Sequence, residues 1–155
     1  MTISFREFNP TVDTNFLKQL LIDSFNSDSE LAFGDGIKMG PPGYDNGILA
    51  TNIIKDTNFL KLIILNQNHA CGILVFTLGT PNVIHYFCLD PHFIGKNIGS
   101  SAWQLIEKEY PGTWQLETPD FSLRNHHFYE KNGFTKIDEK IYTPDSSSFI
   151  YMKEV

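Results

Sequence analysis

Leu89-Asp90-Pro91-His92-Phe93-Ile94-Gly95-Lys96-Asn97-Ile98-Gly99-Ser100 is the stretch on which the fold turns. It leaves an apolar run, Val83 to Leu89, and passes through a turn bearing two glycines. It then enters Ala102, Trp103, Leu105, Ile106 and Tyr110, which repeat at helical spacing. The reading is strand, glycine turn, helix. A helix begun in this way leaves several backbone N–H groups unpaired, and its dipole adds positive potential there, so the turn suits phosphate oxygens. Gly95 and Gly99 allow close approach or unusual dihedrals, Lys96 adds charge, and Ser100 and Ser101 offer hydroxyls. The spacing is neither Gly-x-Gly-x-x-Gly nor a turn closed by Gly-Lys-Ser/Thr, and a plain strand-to-helix connector accounts for it equally well.

Upstream, Ile3 to Phe8 alternates as a short strand, and Val12, Phe16, Leu17, Leu20, Leu21 and Phe25 repeat as a helix behind Asn9-Pro10, a cap followed by a first-turn proline. Residues 26–43 are rich in Gly, Pro, Ser and Asp and predict a long loop, a common place for function. A weaker helical pattern runs from Tyr44 through Ile48, Leu49, Ile53 and Ile54. Phe59 to Leu65 and Cys71 to Leu78 are strands joined by Asn66-Gln67-Asn68-His69, a hairpin turn. Val83 to Leu89 is apolar or aromatic at both alternating positions, as in a central strand covered on both sides.

Downstream, Pro111-Gly112 stops the Trp103 helix and Thr113 to Thr118 alternates as a strand. A short helix follows, Ser122-Leu123-Arg124-Asn125-His126-His127-Phe128-Tyr129-Glu130-Lys131-Asn132-Gly133-Phe134, with Ser122 or Asp120 as cap and Gly133 at its close. Phe134 to Tyr142 and Phe149 to Lys153 predict a closing antiparallel pair across Pro144-Asp145-Ser146-Ser147-Ser148. The expected order is β-α-α-β-β-β-α-β-α-β-β, an α/β mixture with an antiparallel front and a strand–helix–strand unit behind. No repeat or linker divides it, so residues 1–155 are expected to form a single domain.

Bulk properties narrow the function. With 155 residues the chain is long enough to bury a real core, and its aromatic content of 14% argues against disorder. A net charge of −6 with scattered Lys and Arg argues against nucleic-acid binding. Nothing approaches the ~20 apolar residues that span a bilayer, and the N-terminus has no signal-peptide pattern. Two cysteines, Cys71 and Cys88, both sit in apolar runs, so no disulfide framework is expected. The expectation is a soluble, cytoplasmic protein without membrane or nucleic-acid partners.

The turn and the tyrosine helix together resemble the GCN5-related N-acetyltransferases, the GNAT superfamily. Their acyl-CoA-binding turn follows the pattern Gln/Arg-x-x-Gly-x-Gly/Ala after a strand that commonly ends in a hydrophobic-His/Asp-Pro sequence. Leu89-Asp90-Pro91 and Gly99 fit, whereas Ile94 stands where Gln or Arg is usual and Asn97 where the first glycine is usual. Asn enters left-handed dihedrals more readily than other non-glycine residues, and Ile94 still offers its amide. Tyr129-Glu130-Lys131-Asn132-Gly133-Phe134 is similar to the superfamily's Tyr-Glu-Lys-x-Gly-Phe segment, with Ser122 and Asn125 replacing the more typical Asn and Ala upstream.

The resemblance implies a mixed, mostly antiparallel sheet flanked by helices, in which strands 83–89 and 113–118 splay apart beside a bulge. It implies acetyl-CoA as acyl donor, with its pyrophosphate on Ile94, Gly95, Lys96, Asn97, Ile98, Gly99 and Ser100. Pantetheine would lie along the strand edge at Phe87, Cys88 and Leu89, and Asn125 would lie near the cofactor. It also implies that the Tyr129 hydroxyl assists departure of the CoA thiolate. The acceptor would be a primary amine of a small molecule or an exposed peptide amine, attacking directly in a ternary complex, with residues 26–43, Tyr44 and Asp45 shaping its pocket.

The central strand lacks the carboxylate that many such enzymes use as a base. His85 is its one imidazole and a candidate, although a lone strand histidine is more often a packing residue, and Glu117 and Asp120 are alternatives. The missing carboxylate and altered turn also leave open a non-catalytic acyl-CoA-binding or regulatory module on the same fold. His92, His126 and His127 lack partners at ligand spacing, so no metal is expected. Cys88 reads as structural, and a homodimer is possible.

Overall fold

The computed structural model describes residues 2–155. Strand β1 (Ile3–Glu7) leads into helix α1 (Pro10–Phe33) and helix α2 (Ile48–Lys55). Strands β2 (Leu60–Asn66), β3 (His69–Thr77) and β4 (Asn82–Leu89) follow, then a 3-10 turn at Pro91–Phe93, helix α3 (Ile98–Glu109), strand β5 (Thr113–Pro119), helix α4 (Leu123–Lys131) and strands β6 (Thr135–Thr143) and β7 (Ser146–Glu154). They make one seven-stranded sheet in the order β1-β2-β3-β4-β5-β7-β6. Every neighbouring pair is antiparallel except β4 with β5. The α/β mixed sheet and the element order match the sequence expectation.

Local chemistry sets the ends of these elements. The Asn9 side chain accepts from the Thr11 amide at 3.0 Å and Pro10 takes the first turn of α1, as the sequence predicts. Gln67 and Asn68 both hold positive φ, 50° and 68°, which closes the β2–β3 hairpin in two residues. The β6–β7 hairpin is tighter than expected, because Ser146, Ser147 and Ser148 belong to β7 and only Pro144-Asp145 turns. Ser122 stands at the start of α4 but makes no capping bond, its hydroxyl being used elsewhere.

The largest departure concerns residues 26–43. Helix α1 continues to Phe33, and the connection to α2 is confined to residues 34–47, with Tyr44 outside the helix. Asn, Ser and Asp ordinarily weaken helices by bonding their own backbone. Here four in succession also bond other segments, although Ser29 Oγ lies 3.1 Å from the Asn26 carbonyl of its own helix as well. Asn26 Oδ1 accepts from the Tyr44 hydroxyl at 2.7 Å, Ser27 Oγ accepts from Arg124 at 3.3 Å, and Asp28 Oδ2 accepts from Ser122 Oγ at 2.7 Å. Ser29 Oγ donates towards the Ile37 carbonyl at 2.8 Å and accepts from the Met39 amide at 3.1 Å. Tertiary contacts thus override propensity.

Two cores lie on opposite faces of the sheet. On one, α1 and α2 bury Leu17, Leu20, Leu21, Ala50 and Ile53 against Ile63, Ile73, Val75 and Cys88. On the other, Trp103 and Ile106 of α3 and Tyr129 of α4 pack with Leu74, Phe76, Trp114 and Tyr151. Trp103 and Trp114 meet edge to face with centroids 5.1 Å apart. At the sheet's far side Arg6 holds Asp13 through two bonds of 2.7 and 2.8 Å, tying β1 to α1. That guanidinium keeps the Asp13 carboxyl below its usual pKa despite the opposing effect of burial.

Candidate functional site

The site lies where the parallel pair comes apart. Strands β4 and β5 are bonded only along Asn82–Ile84 opposite Trp114–Leu116, although both strands continue well beyond. A bulge accompanies the parting: Val75 pairs with Tyr86 and Phe76 with Ile84, so His85 is an extra residue with no partner on β3. The Asp90 amide donates to the Cys71 carbonyl at 2.8 Å, which fixes the phase of the β3–β4 ladder. Its alternation sends the peptide groups of Tyr86 and Cys88 towards β3 and those of Phe87 and Leu89 into the gap.

The turn after β4 adds the second row of donors. Gly95 has φ +82° with open space around its α-carbon, a conformation that favours glycine, and Asn97 adopts the left-handed conformation at φ 64°, ψ 14°. The first helical bond of α3 is Ser101 N–H to the Asn97 carbonyl at 3.1 Å. Among the described residues the amides from Gly95 to Ser100 have no protein acceptor. Gly99 has a different reason for being glycine. A β-carbon there would lie 2.9 Å from the Phe128 ring, so its smallness lets α4 pack on the start of α3. The Ser100 hydroxyl accepts from Asn132 Nδ2 at 3.1 Å and joins α3 to the end of α4.

These two rows open into one cavity of about 270 Å³. Phe87, Leu89, Ile94, Gly95, Asn97, Ile98, Gly99, Ser100, Asn125 and Tyr129 line it, bringing together most of the residues singled out in the sequence. Asn125 Nδ2 reaches Thr118 Oγ1 at 3.4 Å, near the end of β5. Three predicted residues lie elsewhere. Lys96 does not line the cavity, its ammonium lying 5.6 Å from the ring centroid of Phe93, which does. Cys88 projects to the α1–α2 core, and burial pushes its thiol up to about 11, so it is a protonated packing group. His85 stands outside the cavity with Nε2 2.9 Å from Thr77 Oγ1 and its ring 4.7 Å from that of Phe59. Burial holds it below its usual pKa, hence neutral near pH 7.

Tyr129 occupies the centre. Its ring is packed between Phe128 and Phe134 at centroid distances of 5.1 and 5.4 Å. Among the described residues its hydroxyl has no hydrogen-bond partner, and the residue lines the cavity. Burial, with a smaller effect of Cys88, raises its pKa far above the ordinary phenol value. It therefore stays protonated and can only donate to a developing anion.

Sequence reading missed three polar lining residues, Ser24, Arg124 and Lys131. Arg124 and Lys131 sit seven apart, with Phe128 between them, on the face of α4 that meets the cavity, a spacing legible in the sequence. Ser24 lines the cavity from α1, and Asp28 follows one turn later. Ser24 falls inside the helix that the sequence predicts, but carries no signal there, whereas Asp28 falls in the segment that reads as loop. The other candidate bases are fastened to the β6–β7 hairpin. Glu117 accepts from Ser148 Oγ at 2.6 Å and from the Tyr142 hydroxyl, which together hold its carboxyl below the usual range despite its partial burial. Asp120 accepts from Ser147 Oγ at 3.0 Å. No cluster of three potential metal ligands occurs among the described residues, and no helix among them is long and apolar enough to cross a membrane.

This constellation of splayed parallel strands, bulge, free amide turn and buried tyrosine coincides with a known sequence profile, for the model of the Acetyltransferase (GNAT) family matches residues 28–134. The chain belongs to the GNAT acetyltransferase family. Among curated proteins, this GNAT chain is 43% identical over 60 residues to the uncharacterized protein YrkN of Bacillus subtilis (strain 168), a match covering 37% of the chain and 32% of that relative. The chain thus spans about a third of the length of the curated relative it matches.

Solved structures share the GNAT fold at low identity. The PaiA N-acetyltransferase of Thermoplasma acidophilum, in complex with coenzyme A, has a TM-score of 0.72 at 19% identity, covering 100% of both chains. The ribosomal-protein-S18-alanine N-acetyltransferase of Escherichia coli gives 0.71 at 12%, covering 99% of this chain and 94% of the other. An aminoglycoside 6'-N-acetyltransferase complexed with coenzyme A gives 0.68 at 16%, covering 99% and 97%.

Proposed function

We propose that this single domain, residues 1–155, is an N-acetyltransferase that moves an acetyl group from acetyl-CoA to an amine by direct attack within a ternary complex. One observation carries the reading: the turn Gly95–Ser100 (Lys96 excepted) with its unpaired amides, the strand edge at Phe87 and Leu89, and the protonated Tyr129 line one cavity. Acetyl-CoA, when bound, supplies the activated acetyl thioester.

The amides from Gly95 to Ser100, at the positive end of α3, would hold the pyrophosphate, with Arg124 and Lys131 adding positive charge at the same cavity. Phe87 and Leu89 would bond the pantetheine amides as an added strand does. Tyr129 would donate to the departing thiolate, a form of general-acid assistance worth about 10²–10⁴-fold. The coenzyme A named with two solved relatives supports the choice of donor. In this reading His85 packs against Phe59 and takes no part in proton transfer.

Calorimetry with acetyl-CoA, followed by an amine panel monitored for free thiol, tests the proposal. Saturable binding with thiol release that needs an amine is expected. Absence of acetyl-CoA binding would overturn it, and binding without acyl transfer to any amine would instead make the chain an acyl-CoA-binding module.

A further inference from the structure

Asn132 follows the last residue of α4 and does not line the cavity, yet its side chain governs one that does. Its Nδ2 meets two oxygens, the Phe128 carbonyl at 2.8 Å and Ser100 Oγ at 3.1 Å. A carbonyl can only accept, so the Phe128 contact fixes which end of the Asn132 amide is nitrogen. The same nitrogen therefore donates its second hydrogen to Ser100, whose oxygen accepts. Ser100 keeps its own proton free, and among the described residues that proton has no acceptor. Ser100 is 4% exposed, and the space it borders is the cavity beside the unpaired amides of the turn. A buried hydroxyl proton without an acceptor is unfavourable, and the phosphate oxygens that those amides suit would supply one.

Asn132 is itself held in place. Its backbone carbonyl accepts from Lys153 Nζ at 2.8 Å, and the same ammonium pairs with Glu107 at 2.6 Å. Glu107 and Ser100 are seven residues apart on α3, two turns along one face. Helix α3 is thus joined to the end of α4 at two places, directly through Ser100 and through Lys153 of β7. The donor that faces Ser100 has one orientation, and so has the hydroxyl it bonds.

We propose that Asn132 is a positioning residue for the acyl donor: by donating to Ser100 it presents the Ser100 proton to a phosphate oxygen of acetyl-CoA. Asn132 touches neither the donor nor the reacting atoms and acts through Ser100. The proposal rests on the acetyltransferase reading above. It adds to the amides of the turn a hydroxyl donor that is set from 32 positions away in the chain.

Calorimetry with acetyl-CoA on single and double variants tests it. Ser100→Ala should weaken acetyl-CoA binding about tenfold, the loss expected for a hydrogen bond to a charged group. Asn132→Ala lets the hydroxyl turn to a carbonyl of its own helix and should weaken binding about three- to tenfold. The losses should not add, so the double variant should bind as Ser100→Ala does, within about twofold. Asn132→Asp keeps the shape but puts an acceptor where the donor was. It should weaken binding more than Asn132→Ala, because it takes the Ser100 proton and repels phosphate. Should Asn132→Asp fail to fold, the alanine variants decide alone.

Asn132 lies three residues after Tyr129, so a merely structural role would disturb the phenol and lower turnover. In Asn132→Ala, kcat at saturating acetyl-CoA should instead stay within about twofold for any amine the wild type accepts. Unchanged affinity in either alanine variant, additive losses, or a fall in kcat with affinity intact would overturn the proposal alone. Failure of the wild type to bind acetyl-CoA would overturn the acetyltransferase reading and this one with it.

Discussion

Two short stretches, Asn26–Ser29 at the end of α1 and Gly95–Ser100 at the start of α3, are both polar and small in composition, but only the second borders the cavity. The first spends everything it has. Asn26, Ser27, Asp28 and Ser29 each bond a residue from another segment, and a helix persists where composition predicts loop. The second spends almost nothing, since its amides find no acceptor among the described residues. The difference separates wall from socket: satisfied polar groups build structure, and unsatisfied ones at an open cavity are available for a ligand.

Tyr129, between the two stretches, is where the comparison has the largest consequence. Tyr129→Phe should lower kcat by about 10²–10⁴-fold while leaving the acetyl-CoA dissociation constant within about twofold, measured by thiol release and calorimetry. Unchanged turnover would remove the phenol from the mechanism. On the unspent side, Asn97→Val forces a β-branched residue into the left-handed region, at about 1–2 kcal/mol, and should weaken acetyl-CoA binding roughly tenfold. Asn97→Gly should bind as the wild type does. Equal behaviour of the two variants would separate binding from the backbone conformation at that residue.

On the spent side, Ser29→Ala removes hydrogen bonds to the 37–39 segment and should cost about 1–3 kcal/mol in urea unfolding with no change in acetyl-CoA affinity. A change in affinity instead would mean that the two stretches are coupled. The Arg6–Asp13 pair supplies a control far from both. Because the folded-state pKa of Asp13 is depressed, its contribution is fully present above its ordinary value near 3.8 and is lost as pH falls through the lower folded value. Asp13→Asn should therefore lower stability at pH 7 by about 1.5–3 kcal/mol and flatten the acid limb of the stability curve below pH ~4. Acid titration of both proteins by circular dichroism reads this directly.

The legibility of the chain follows the range of the interactions. Helix α3, the β2–β3 hairpin and the cap at Asn9-Pro10 could be read because their signals are local: apolar spacing, two residues able to hold positive φ, a side-chain acceptor before a proline. The glycine turn was legible through Leu89-Asp90-Pro91 and Gly99, and Tyr129 through the segment that ends in Gly133-Phe134. Gly99 lines the cavity, but its packing role was not legible, since the ring that requires it, Phe128, lies 29 positions away. His85 was a reasonable candidate from its strand alone, but the bulge and Phe59 place it outside the cavity.

By itself the sequence determined the order of elements, the position of the turn with its unpaired amides, and the presence of a phenol on the helix that follows β5. These depend on backbone geometry and spacing within a dozen residues. Only the tertiary structure decided that α1 runs on to Phe33, that β4 and β5 part after three pairs, and that Asp28 accepts from Ser122. Those outcomes depend on partners such as Arg124 and Ser122, roughly a hundred residues from the serine and aspartate they bond, and no local propensity encodes a contact at that range.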